Sequence, residues 1–118
     1  MKDNFNRVDE FEKIVDGMLD LYKRKNADYG NSVARTFDEY GLISFLVRIE
    51  DKINRLSNLT IKKSDQKVMD EKIEDTLMDM ANYSVMALIE LKRVKAEEEA
   101  SKPKPQTIKK TTVQSRKK

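Results

Sequence analysis

The chain has 118 residues, 38% of them hydrophobic and 38% charged, with no cysteine, histidine or tryptophan and a formal net charge of +3. This composition excludes disulfides, thiol nucleophiles and imidazole as base or metal ligand, so any chemistry must run on carboxylates, lysine, arginine, tyrosine or bound water. It suits one small domain with a thin core that oligomerisation would help to complete.

Three glycines and two prolines leave few breaks, as long helices require, and the expected class is all-α. Residues 101–118 hold seven of the 24 basic residues and no acid, so the body has 17 basic against 21 acidic residues and carries −4. Such a body does not resemble a nucleic-acid-binding surface. We read residues 1–100 as the folded domain and 101–118 as a disordered basic tail, the one place for nucleic acid contact. The first residues lack the apolar core of a signal peptide, and no run approaches the roughly 18 apolar residues of a membrane span. The expectation is a soluble, cytoplasmic protein without a membrane partner.

In chain order, Val8, Phe11, Val15, Met18 and Tyr22, with Ile14 and Leu21 beside them, predict an amphipathic helix over about 6–25. The segment KNADYGNS, residues 25–32, then breaks the period with turn formers. Ser32 can cap a short helix over 33–40 that ends at Gly41. Leu42, Leu46, Ile49, Ile53 and Leu56 define a third helix over 42–57, with Glu50, Asp51 and Asn54 on one outer side and Arg48, Lys52 and Arg55 on the other. A polar loop follows from Asn58 to Lys63, and Ser64 or Asp65 can cap a last helix over about 65–98. Beyond Ala81 that helix is apolar nearly all round, so a bundle neighbour and a second subunit are expected to cover it. Met18, Met78, Met80 and Met86 read as core filling.

The last helix carries the most informative stretch, DEKIEDTLMDMANY at residues 70–83. At about 100° per residue, Glu71, Asp75, Asp79 and Asn82 fall in one stripe, opposite Ile73, Leu77, Met80, Ala81 and Ser84. Acids four apart repel by a few tenths of a kcal/mol per pair. A divalent metal or the cationic face of a neighbouring helix would offset this. Asp51 and Glu50 on the third helix could join Glu71 and Asp75 around Mg²⁺ or Mn²⁺, and Lys25, Arg48, Lys52 or Arg55 could neutralise phosphate. That is the equipment for metal-assisted hydrolysis of a phosphoanhydride. Alternatively the stripe is solvated and Asp51 pairs with Arg48 or Arg55 on its own helix.

KNADYGNS, RIEDKINRL (residues 48–56) and DEKIEDTLMDMANY together resemble the successive motifs of the phage nucleotide-modification-associated domain family, over about residues 6–92. That family is similar to the MazG-like all-α nucleoside triphosphate pyrophosphatases. The resemblance implies a four-helix-type antiparallel bundle, a dimer or higher oligomer, and a nucleotide site with Mg²⁺. In the MazG-like enzymes an E-x-x-E and an E-x-x-D pair hold the metal, and cleavage between the α and β phosphates releases pyrophosphate. By position, the pairs fall on Arg48 with Asp51 and on Glu71 with Asp75, one residue further than the pattern. Arg48 thus stands where an acid is expected, and Glu50 points about 160° away from it.

Two functions are therefore in contest. One is Mg²⁺-dependent hydrolysis of nucleoside or deoxynucleoside triphosphates, with Glu71 and Asp75 catalytic, Asp51 or Glu50 completing the metal shell, Lys25, Arg48, Lys52 and Arg55 on phosphates, and Asp28, Tyr29, Asp79 and Asn82 orienting water, sugar or base. The other is a non-catalytic binder that sequesters a modified or signalling nucleotide or supports nucleotide modification. A helical interaction module that meets a basic partner through the acidic stripe is the third reading.

Overall fold

Helix length follows from the shortage of breakers. The computed structural model describes residues 4–29, 31–61 and 66–102, and among these it has four helices and no strand: α1 (Arg7–Tyr29), α2 (Ser32–Tyr40), α3 (Ile43–Ile61) and α4 (Gln66–Ser101). The all-α class and the order of elements agree with the sequence reading, while several boundaries move. α1 continues through Asp28 and Tyr29, where a turn was expected. Asn and Asp cost at most ~0.7 kcal/mol each in a helix relative to Ala, too little to stop one that meets no proline and, after Gly17, no further glycine before position 30. Ser32 is the first helical residue of α2, not its cap; Asn31 takes the cap position and makes no side-chain cap bond. α2 ends as expected at Gly41, whose φ of 71° suits glycine and whose N–H donates to the Phe37 carbonyl at 2.7 Å. α3 absorbs the polar run from Asn58, its last turn held by Thr60 Oγ1 donating to the Ser57 carbonyl at 2.8 Å. The caps expected at Ser64 or Asp65, and the tail beyond Lys102, lie outside the described residues. No described helix is long and apolar enough to cross a membrane.

α3 packs along α4, α2 against α3, and α1 more sparingly against α4. The core sits where α2, α3 and the second half of α4 meet: Phe37, Phe45, Met86 and Ala87 are buried, with Tyr22, Val33, Tyr83 and Val94 packed on them. The Phe37 and Phe45 rings lie 6.0 Å apart at 51°, a tilted arrangement that aromatic pairs favour. This anchor corrects the expected face of α3. Leu42, Leu46 and Ile53 are exposed, and the sheltered stripe is Phe45, Ile49, Lys52 and Leu56, turned by about 50° at 100° per residue. The rotation swings Lys52 from the outer surface toward α4.

Of the methionines read as core, Met86 is buried and Met18, Met78 and Met80 are half-buried. The apolar face of α1 is covered only in its second half, at Met18, Leu21 and Tyr22, while Val8, Phe11, Ile14 and Val15 stay exposed. Leu77, Val85 and Leu88 of α4 are exposed as well. α4 instead turns Thr76 and Asn82 inward; the Thr76 Oγ1 donates to the Lys72 carbonyl at 2.7 Å, which satisfies its hydroxyl.

Candidate functional site

The acidic stripe of α4 passes from solvent to interior along its length. Glu71 and Asp75 are exposed, the Asp79 side chain is 22% exposed, and Asn82 is 9% exposed. Asp79 is where three helices meet: Lys25 of α1 lies 3.6 Å from its Oδ1 and Lys52 of α3 lies 3.2 Å from its Oδ2. Of the two ways to offset the stripe's charge, a cationic neighbour is therefore the one used at Asp79. Two ammonium groups on one carboxylate leave a surplus positive charge beside a partly dry seam, which favours a further anion.

Open grooves flank this crossing. On the α3 side a groove of about 420 Å³ is lined by Asp51, Lys52, Asn54, Arg55, Asn58 and Lys72. On the α1 side a second, also about 420 Å³, is lined by Arg24, Lys25, Asp75 and Asp79 with Gly17, Leu21 and Met78. Between α1 and α4, Tyr22, Lys25, Asp79, Asn82 and Tyr83 enclose a recess of about 10 Å³, close to the ~10–15 Å³ that admits one water-sized group. Among the described residues the Asn82 amide makes no hydrogen bond. A buried amide left unsatisfied costs about 1–3 kcal/mol, so this position calls for an oxygen or nitrogen atom from outside the chain.

The other expected site residues divide as follows. Lys25, Lys52, Asp79 and Asn82 come together, and Arg55 shares a groove with Lys52. The Arg48 guanidinium lies over the Tyr83 ring, 5.8 Å from its centroid. It makes no ion pair with Asp51, nor does Arg55. Asp51 and Asp75 open onto different grooves, Glu50 and Glu71 are exposed, and among the described residues no group of three acids is placed to hold a metal ion. The side chains of Asp28 and Tyr29 lie outside the described set.

Sequence reasoning passed over Lys72, although it stands inside DEKIEDTLMDMANY, and Arg24, which lies just before KNADYGNS and pairs with Asp20 at 3.3 Å; the first lines the α3-side groove and the second the α1-side groove. It also missed a clamp at the far end of the seam. Arg93 donates to Asp38 of α2 at 2.7 Å, to Glu90 at 2.8 Å and to Glu97 at 3.0 Å. These bonds, that to Asp38 foremost, raise the guanidinium above its already high ordinary pKa, so it stays charged at every accessible pH. The spacing of Glu90, Arg93 and Glu97 was a visible signal; Asp38, 55 residues away, was not.

The seam thus brings together two lysines on one carboxylate, an α3-side groove in which Lys52, Arg55 and Lys72 outnumber Asp51, and a buried amide that has no hydrogen bond among the described residues. Residues 25–91 match the model of the family described as nucleotide modification associated domain 1. The match covers more than half of the chain, and the protein belongs to that family. No curated protein and no solved structure gives a significant match. The matched stretch contains Lys25, Lys52, Asp79 and Asn82, and leaves out the exposed first part of α1.

Proposed function

We propose that this domain binds a nucleoside phosphate in the cytoplasm, its phosphates held by Lys25, Lys52, Arg55 and Lys72 and a sugar hydroxyl by Asn82. The observation that carries the reading is Asn82, a buried amide without a partner among the described residues, set beside the Lys25–Asp79–Lys52 crossing. The family's description concerns nucleotide modification, and the resemblance to MazG-like pyrophosphatases points to the same ligand class.

Binding without turnover is the reading favoured here. Arg48 rests on Tyr83 where the pyrophosphatase pattern asks for an acid, and the acids of one chain do not fit a resident Mg²⁺ or Mn²⁺, since Asp51 and Asp75 face different grooves. Hydrolysis would require Glu71, Asp75, Asp51 or Glu50 to be drawn together from those separate positions. The proposal includes a homo-oligomer, in which a second copy covers Val8, Phe11 and Ile14 of α1 and Leu77 and Leu88 of α4, all exposed in the single chain.

Thermal shift and pyrophosphate release on one panel of nucleoside triphosphates, with and without Mg²⁺, test the reading. A ligand at about 100 times its Kd adds ~2.7 kcal/mol, which at ~100 residues raises Tm by roughly 10–20 °C. The expected outcome is such a shift without pyrophosphate release. Release would establish the hydrolase, and no shift with any nucleotide would contradict the binding site itself.

A further inference from the structure

The seam that holds Asn82 continues toward the C-terminal half of α4. Tyr22 and Met86, which line the small recess at Asn82, also line a larger one of about 170 Å³ where the end of α1 and the start of α2 meet α4. Its other walls are of two kinds. Val33, Ala34 and Ile89 are apolar, while Asn26, Asn31 and Glu90 are polar. A recess that combines apolar walls with a few polar groups suits a heterocycle that carries hydrogen-bonding groups on its edge.

From Glu90 to Asp79 is eleven residues along α4, roughly 16 Å at 1.5 Å per residue, and Met86 and Asn82 stand between them. The order of groups along the seam is then heterocycle recess, hydroxyl partner, cationic crossing. That is the order of base, sugar and phosphates in an extended nucleotide.

Glu90 decides which base. Its side chain is 13% exposed, and Oε1 accepts from Arg93 Nε at 2.8 Å, while Oε2 has no partner among the described residues. Arg93 is itself fixed by Asp38 and Glu97, so it holds the carboxylate in place. An ionised carboxylate only accepts hydrogen bonds. It matches a base edge with an exocyclic amino group, such as guanine, adenine or cytosine, and is mismatched to uracil or thymine, whose single ring N–H lies between two carbonyls. Asn26 and Asn31, whose amides both donate and accept, serve the remaining edge.

We infer that the Tyr22–Asn26–Asn31–Glu90 recess is the base-recognition end of the site and selects nucleotides with an amino-bearing base, an inference that rests on the phosphate-binding reading above. A site built to pair a polar group rejects the analogue that leaves it unpaired more strongly than an apolar pocket rejects a misfit.

The test is calorimetric titration of the full chain with GTP, ATP, CTP, UTP and inorganic tripolyphosphate. At least one amino-bearing nucleotide is expected to bind tenfold or more tightly than UTP, and also more tightly than tripolyphosphate. Glu90→Gln, whose amide can donate to a carbonyl, is expected to close the gap to UTP and leave tripolyphosphate binding unchanged. Arg93 keeps Asp38 and Glu97 in that variant, and Asn26→Ala, at an exposed position on α1, provides a second probe expected to weaken nucleotides and not tripolyphosphate. Equal binding of all four nucleotides and tripolyphosphate would overturn base recognition while the phosphate site stood. Absence of binding by every ligand, tripolyphosphate included, would overturn the phosphate site and this inference with it.

Discussion

The two ends of the α4 helix live in different surroundings. Its second half is locked: Met86 and Ala87 pack on Phe37 and Phe45, and Arg93 ties in α2 through Asp38. Its first half meets α1 loosely, with Leu77 and Ile14 both exposed beside a largely apolar groove. The candidate site lies on the boundary between them, where Lys25 from the loose side and Lys52 from the packed side reach one carboxylate. A ligand there gains preorganisation from one partner helix and adaptability from the other. The difference also shows that an apolar stripe in the sequence does not by itself become a core: it needs a facing surface, which α3 has and the start of α1 does not.

The largest effect should come from breaking the packed end. Phe45 is 2% exposed, and Phe45→Ala is expected to cost about 3–5 kcal/mol, unfolding the domain in denaturant titrations. Phe11→Ala on the exposed part of α1 should cost almost nothing at low protein concentration. A cost for Phe11→Ala that grows with protein concentration would show that a second copy covers this face.

Next comes the crossing itself. Lys52→Ala removes a charge-assisted contact to phosphate worth about 1.5–3 kcal/mol, so tripolyphosphate and nucleotide affinities should fall roughly 10–100-fold in calorimetry. An unchanged affinity would move the phosphates elsewhere.

Two smaller effects sharpen the contrast. Thr76→Val keeps the shape of a residue 1% exposed and deletes its bond to the Lys72 carbonyl, for an expected loss of about 0.5–1.5 kcal/mol. Gly17→Ala should stabilise the chain by up to ~1 kcal/mol through helix propensity. A methyl there would meet Met78 Cε at 3.6 Å, an ordinary contact, and a loss of stability would mean that α1 packs more tightly on α4 than its exposure indicates.

Much of the fold was legible because its signals are local. Few breakers gave three long helices and one short one, and Gly41 ended α2 where expected. The errors arose where tertiary contacts chose among local options. Phe45, not the leucine stripe, was drawn inward because Phe37 offered it a ring, and the resulting turn of α3 carried Lys52 to Asp79. In the site, Lys25, Lys52, Asp79 and Asn82 were each named from sequence, but as parts of different roles. That they share one point depends on how three helices cross, which no spacing along one helix encodes. Glu90 and Arg93 had the spacing of a surface pair and gained meaning only when Asp38 arrived from α2.

The account turns on Asn82, and one variant tests it most directly. Asn82→Leu removes a buried amide that has no partner among the described residues, and replacing an unsatisfied buried group with an apolar one of similar size is neutral or stabilising. Measured on one preparation by thermal melting and by calorimetric titration of GTP and CTP, the variant should melt at or above the wild-type temperature and bind both at least tenfold more weakly. A folded variant that melts lower and binds as tightly as wild type would make Asn82 a structural residue and contradict the site.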